Sequence, residues 1–421
     1  MKDKWRVEYQ RILHVLEGDQ VNILTGFNAN IDLLFDLEDL HFDFSGSNPE
    51  LVNPVESLED LKSSLKYCME KGENEEVDGE EFYRKIPGEG VRRIGGQAGI
   101  IANYLSGFNN YVAFHTPLLS EELAEMIDED VVSPVMDGKL LLKRVNKCVN
   151  TDRTKKNTII QFDGEKTGRL IVSDKMRGFG PYFRSGVEEN FDVLEDEIDR
   201  MILSGFQNVE GNFEAKLQKS ANQLDEISTE KHLEYVSMRE KKSRMIFEEV
   251  LPKFDSVGMD ETEAIQIAEL MEMDVGEELE ITEAYELGRE LLEKHGLSRC
   301  HIHTYGYHVC VAEDDYSIDE NRMKRAMLYG EACAIQMADQ GEIPDLEDMK
   351  KFELDGKHLH RLDPLEKLGH RLEEDEFARE GVYSDSEVKV AAIPTLIHDD
   401  PERLVGMGDI ISSGAFTAEI K

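Results

Sequence analysis

The chain has 421 residues, 89 acidic and 48 basic, for a formal charge of −41. A surface this negative repels phosphate backbones and anionic lipid, which disfavours a nucleic-acid or membrane-surface role. Apolar residues make up 40% of the chain, enough to build a core, so wholesale disorder is disfavoured, and the length suits two or three domains of about 100–200 residues each.

The acidic residues are spread along the chain and read as a solvated surface. A sharper reading is adaptation to a salt-rich interior, where cations screen the repulsion. Five cysteines, Cys68, Cys148, Cys300, Cys310 and Cys333, form no CxxC pair and read as reduced thiols. No apolar run approaches about 18 residues, so a cytoplasmic protein is expected.

In chain order, Trp5 to Leu16 has helical spacing, and Val21 to Gly26 reads as a short buried strand. A charge-rich stretch follows from Asp36 to Pro87, with a helix from Val55 to Lys71. Residues 91–105 turn glycine-rich and then helical. Thr158–Phe162 and Arg169–Val172 bracket a hairpin turn at Asp163-Gly164-Glu165. Helical patterns then cover Ala215 to Asp225, Val236 to Val250 and Glu261 to Leu270, with strand patterns ending at Ser204-Gly205, from Cys300 to Val311 and from Val388 to Ile393. Gly408 to Ile420 closes the chain as a helix. This alternation predicts an α/β fold with a mostly parallel sheet flanked by helices. The early charged segment and the hairpin break the alternation and suggest a smaller inserted lid.

Three glycine-bearing segments carry the chemistry. Gly406, Met407, Gly408 and Asp409 open the last helix. Glycines let a ligand approach the backbone, and free N–H groups at a helix start favour a phosphoryl group. Asp409 at their mouth suits a general base for an attacking hydroxyl. A glycine turn with a capping aspartate has the same spacing. Gly26-Phe27-Asn28-Ala29-Asn30-Ile31-Asp32 follows the first strand, where open α/β sheets bind ligands. Asn30 and Asp32 suit sugar hydroxyls, or an Asx turn. Gly95-Gly96-Gln97 precedes an apolar helix and would bring backbone close to a substrate, or to a packed strand.

The segments GFNANID, GGQAGIIAN, HLE (His232 to Glu234), GMDE (Gly258 to Glu261), HIHTYGY (His301 to Tyr307) and VGMGD together resemble the archaeal ADP-dependent sugar kinases, the phosphofructokinases and glucokinases of the ribokinase superfamily. The resemblance spans residues 26 to 409. It implies a large ribokinase-like nucleotide-binding domain (1–32, 93–149 and 181–421) and a small α/β lid (33–92 and 150–180).

The resemblance implies that ADP donates its β-phosphoryl group and leaves as AMP. Asp409 is then the catalytic base, with Gly406, Met407 and Gly408 as the anion hole. Asn30, Asp32, Gly96 and Gln97 are the sugar contacts. Asp260, standing where the family has asparagine, and Glu261, His303, Thr304 and Val405 face the nucleotide. Glu234, read on a helix, orders water around Mg²⁺, with Asp409 nearby. Mg²⁺ keeps several waters, so an indirect role suits it. His301 and His303 share a strand face, but no third ligand supports zinc.

Lys175, Arg177 and Arg184 form a local basic group suited to a sugar 6-phosphate, or are solvated charges. Glu76 resembles the lid glutamate associated with glucose. The expected reaction is therefore phosphorylation of fructose 6-phosphate, with glucose as an added acceptor. A glucokinase, a sibling sugar or nucleoside kinase, and a non-catalytic sugar sensor are the alternatives. Whether the chain is a monomer or a dimer stays open.

Overall fold

In the computed structural model, the described residues are 1–12, 18–72, 74–162, 168–175, 178–238, 240–354, 357–403 and 405–421. An eleven-stranded sheet forms the large body. Its spatial order is Val382–Ser384, Val388–Pro394, Tyr307–Glu313, Arg299–His303, Ser256–Asp260, Glu230–Glu234, Arg200–Leu203, Asn22–Gly26, Tyr111–His115, Val132–Met136 and Leu140–Arg144. The seven strands from Arg299–His303 to Val132–Met136 pair in parallel, and both outer margins turn antiparallel. Parallel strands need crossovers and bury both faces. The middle strands are accordingly buried along their length: Met201, Ile202, Leu203, Val257, Met259, Cys300 and Ile302 supply the apolar core, and polar residues such as Arg200, His232, Ser256 and Arg299 are buried among them.

A separate five-stranded sheet runs in the order Glu75–Asp78, Gly168–Ser173, Lys156–Phe162, Asn30–Asp36 and Val91–Gly95. It has its own apolar core of Phe35, Leu61, Leu65, Val77, Phe82, Ile160 and Val172, backed by the helix Leu58–Lys71. That helix starts at a capping box between Ser57 and Asp60 and ends at Gly72 in the left-handed conformation. The strand Asn30–Asp36 follows Asn22–Gly26 after only three residues. The first strand of the large sheet thus feeds directly into the small one.

The last helix, Met407–Ala418, packs against the 21-residue helix Glu320–Gln340, where Gly330 has no room for a side chain: a Cβ would stand 2.4 Å from Ile411 O. Just past its far end, Glu419 is fully buried and accepts from Arg299 Nε at 2.8 Å, from Tyr316 Oη at 2.8 Å and from Arg200 Nη1 at 3.3 Å. Both guanidiniums also lie over the Phe416 ring, at 4.1 and 5.6 Å. Such a buried ion network tolerates the loss of no single partner, since a charge left alone there is costly.

Several expectations are corrected. His232-Leu233-Glu234 lies on the strand Glu230–Glu234, not on a helix. The three residues alternate across a sheet buried on both faces, and composition alone does not reveal this. The helix expected from Val236 begins only at Glu240, and residues 235–238 before it form no regular element. Cys300 to Val311 is two antiparallel strands joined by a turn at residues 304–306. The first helix is Lys2–Arg11, and residues 13–17 of that pattern lie outside the described residues. So do Arg177 and the expected hairpin turn at 163–167. No helix among the described residues is long and apolar enough to cross a membrane.

Candidate active site

The carboxyl ends of the central parallel strands converge with the start of the last helix. This is where open α/β sheets gather ligands, because the strands there hand over to loops and helix N-termini. Glu234, Asp260 and His303 are the terminal residues of three adjacent strands. Facing them, Gly406 takes φ +88°, a conformation that side-chain-bearing residues disfavour. It caps the helix Met407–Ala418 and leaves that helix's first N–H groups open toward the strand ends. A Cβ on Gly408 would stand 2.8 Å from His303 Nε2. This loop therefore needs glycine both for its turn and for its contact.

Two cavities meet at this loop. One of about 700 Å³ lies between the two sheets and is lined by Asn30, Asp32, Glu76, Gly96, Gln97, Lys175, Val405 and Asp409. The other, of about 600 Å³, is lined by Asp260, Glu261, His303, Thr304, Met407 and Gly408. Asp409 faces the first, and its neighbours Met407 and Gly408 face the second. Among the described residues, Glu234, Gly406, Arg184 and His301 are singled out from the sequence but line neither. Glu234 is buried just beneath the carboxylates, Gly406 is the hinge of the loop, and Arg177 lies outside the described residues.

In the larger cavity, Asp32 Oδ1 accepts from Asn30 Nδ2 at 2.7 Å and from Asn157 Nδ2 at 3.1 Å. Burial pushes Asp32 up to about 6, against the pull of Lys155 and those two amides. Gly95 is required beside it, since a Cβ would stand 2.3 Å from Asp32 Oδ2. Gly96, at φ +74°, starts the helix Gln97–Ser106, and Gln97 Oε1 accepts from Asn28 Nδ2 at 2.9 Å. The sequence reading missed Lys155 and Asn157, which line the same cavity. Lys155 is buried and donates to Asn208 Oδ1 at 3.1 Å. A lysine and an asparagine two apart, entering a predicted strand, were the available signal. Arg184, grouped with Lys175 in the sequence, is consumed elsewhere: it donates to Pro117 O at 2.9 Å and to Asp152 Oδ2 at 2.8 Å.

The carboxyl groups at the seam perturb one another. Burial first, and then the neighbouring Glu234, push Asp409 up to about 8, while Arg403 pulls it down. Burial raises Glu234 to about 7, opposed mainly by His303. Glu234 Oε1 lies 3.1 Å from His232 Nε2, which also lies 2.9 Å from Ser412 Oγ. Ser412 sits one turn beyond Asp409, so one buried imidazole bridges Glu234 to the helix that carries Asp409. Burial also keeps His232 far below the ordinary imidazole value, hence neutral.

Asp260 caps the helix Glu261–Leu270 in a reciprocal box with Glu263. Burial, followed by Asp260 and Glu234, raises Glu263 well above the usual carboxylate range. Glu263 therefore belongs to the carboxylate cluster and was missed in the sequence. Glu261 lines the cavity but also accepts from Leu279 N at 3.1 Å. Thr304 Oγ1 accepts from Gly306 N and Tyr307 N at 3.1 Å and so closes the turn beside the smaller cavity. Among the described residues, no three His, Cys, Asp or Glu side chains converge to hold a metal ion directly.

Residues 21–418 match the family described as ADP-specific Phosphofructokinase/Glucokinase conserved region. The chain belongs to this family. It is an ADP-dependent sugar kinase. An ADP-dependent glucose/glucosamine kinase of Pyrococcus furiosus is 27% identical over 94% of this chain and 94% of its own length. An ADP-specific phosphofructokinase of Pyrococcus horikoshii is 26% identical over 94% of this chain and 97% of its own. Among solved structures, an ADP-dependent kinase complex with fructose-6-phosphate and ADPbetaS superposes with a TM-score of 0.82 at 25% identity, covering 100% of this chain and 97% of that one. The last common ancestor of ADP-dependent phosphofructokinases from Methanosarcinales superposes at 0.80 with 24% identity, covering 100% and 98%.

Proposed function

We propose that this kinase transfers the β-phosphoryl group of ADP to the 1-hydroxyl of fructose 6-phosphate, giving fructose 1,6-bisphosphate and AMP. The observation that carries the reading is the seam of two cavities, with Asp409 lining one and Met407 and Gly408 lining the other, at a helix start that no side chain among the described residues caps. A hydroxyl in the larger cavity and a phosphorus atom at the loop would meet at that carboxylate. Asp409 takes the hydroxyl proton as the oxygen attacks. The P–O bond to the leaving AMP breaks, and the open amides at the helix start receive the charge on the phosphoryl oxygens. A base whose proton affinity lies near neutrality suits this task.

Asn30, Asp32, Gly96 and Gln97 orient the sugar, and Lys155 and Lys175 supply positive charge for its 6-phosphate. Asp260, Glu261, His303, Thr304 and Val405 border the nucleotide. The raised carboxyl groups at Glu234, Asp409 and Glu263 fit a divalent cation, since a positive charge would relieve their mutual repulsion. Glu234 and Asp409 would hold Mg²⁺ largely through water, in keeping with its reluctance to dehydrate. When bound, the ion neutralises phosphoryl charge. The small sheet, taken as a lid of about residues 33–92 and 150–180, would close on the sugar and exclude water. The negative surface suits a salt-rich cytoplasm.

Glucose is a second acceptor on this reading, because Glu76 lines the sugar cavity and offers a carboxylate to a hydroxyl. The test is product analysis with fructose 6-phosphate or glucose, each with ADP and then ATP, at low and high salt. The expected result is fructose 1,6-bisphosphate and AMP from the first sugar with ADP. Transfer from ATP alone, or no turnover of fructose 6-phosphate, overturns the assignment.

A further inference from the structure

A third cavity, of about 640 Å³, lies on the small sheet beyond Asp32 and is bounded on its other side by residues 399–403 and Val405 of the large body. Three arginines line it. Arg93 stands cross-strand from Asp32, and Arg169 stands cross-strand from Gln161, which itself pairs with Asp36. Alternation along these strands puts both arginines on the same sheet face as Asp32. Arg403 comes from the opposite wall and is 7% exposed.

In a chain with 89 acidic residues, these guanidiniums are poorly paired. The Nε atoms of Arg93 and Arg169 are buried without a hydrogen-bond partner. Arg403 Nε donates to Val405 O at 3.1 Å. Among the described residues, the single carboxylate within ion-pair range of any of the three is Glu342, 3.9 Å from Arg93 and largely exposed. Asp36, Asp399, Asp400 and Glu402 share the cavity rim, but all four are exposed and none pairs with these arginines. Burial, and then the neighbouring Arg93, lower the proton affinity of Arg403. Two cations held together in this way call for an anion. Asp32 is one carboxylate, and its Oδ1 is already committed to Asn30 and Asn157.

We propose that Arg93, Arg169 and Arg403 form a second anion site, beside the sugar cavity and sharing Asp32, Ile159 and Val405 with it, that takes a phosphate dianion, either free or carried on a small metabolite. Guanidinium forks match phosphate oxygens in pairs, and three of them match a dianion better than a single carboxylate. Arg93 and Arg169 belong to the small sheet, and Arg403 lies just before the glycine loop. A bound phosphate therefore ties the small sheet to the segment that leads into Asp409. The inference does not depend on which sugar or nucleotide is used.

The test is calorimetric titration of inorganic phosphate, and separately of glycerol 3-phosphate, into the full ligand-free chain, with ionic strength held constant by KCl. Saturable binding is expected. It should survive Lys175→Met, which alters the sugar cavity, and weaken about tenfold in Arg169→Gln and in Arg403→Gln, each of which removes charge-assisted hydrogen bonds. Should a glutamine variant fail to fold, Arg403→Lys keeps the charge without the fork, and several-fold weaker binding is expected. Tighter binding of either probe identifies whether the free or the carried phosphate is preferred. Absence of saturable binding, binding lost in Lys175→Met alone, or binding unchanged in Arg403→Lys and the glutamine variants overturns the proposal.

Discussion

His303 lies directly against Gly408, so that a Cβ on this glycine would stand 2.8 Å from the imidazole Nε2. The strand end and the glycine loop at the start of the last helix are therefore fitted closely to each other. Gly408→Ala forces the imidazole or the loop aside and misaims the amides. Turnover should fall by roughly 10²-fold, the scale for losing one such donor, while far-UV circular dichroism stays unchanged. Near-normal turnover with ADP would remove the loop from the role of anion hole.

Asp409, Glu234 and Asp32 all hold protons more tightly than free carboxyl groups do, to about 8, 7 and 6. The unfolded chain loses these protons near the ordinary carboxylate values of about 4. Between those values and about 8 the folded state binds more protons than the unfolded one. Its stability without substrates should therefore fall as pH rises through that window. Asp409→Asn removes one ionisation. The margin by which its melting temperature exceeds the parent's should be smallest near pH 4 and widen toward pH 8, while turnover drops by about 10²–10⁴-fold, the usual contribution of a general base. A variant less stable than the parent at pH 8 would contradict the burial argument.

Sugar choice should divide between two side chains that line one cavity. Lys175→Met should raise KM for fructose 6-phosphate about tenfold or more, as loss of a charged contact does, and leave KM for glucose nearly unchanged. Glu76→Ala should do the reverse. Parallel losses on both sugars in both variants would reject the division.

The negative surface should make folding salt-dependent. Self-repulsion among exposed carboxylates weakens as the screening length shrinks from about 10 Å at 0.1 M to about 3 Å at 1 M. The melting temperature should climb across that range in KCl. A flat response would set aside the salt-adaptation reading.

Fold and site were legible to different depths. The alternating strand and helix patterns were readable because the buried parallel strands are short apolar runs ending in glycine or a polar residue, as at Leu24-Thr25-Gly26. The glycine loops were readable because left-handed turns and close contacts leave few residue types available, as at Gly96 and Gly406. Glu234 was assigned the right neighbourhood but the wrong element, since a buried strand with alternating polar residues mimics an amphipathic surface. Lys155, Asn157 and Glu263 were missed because each acts through partners far away in sequence. Lys155 reaches Asn208, and Glu263 joins Glu234 and Asp260 only once three strands lie side by side. The arginines at 93, 169 and 403 come from three separate segments, and no local pattern unites them.

The knot of Glu419 with Arg200, Arg299 and Tyr316 anchors the final helix at the end opposite its aspartate. A rod pinned at its tail and wedged along its length against Glu320–Gln340 has little freedom to swing. On the proposed reading Asp409 is the stationary jaw, and the travel needed to grip a substrate would fall to the five-stranded body, one of whose links to the main sheet is the three residues after Gly26.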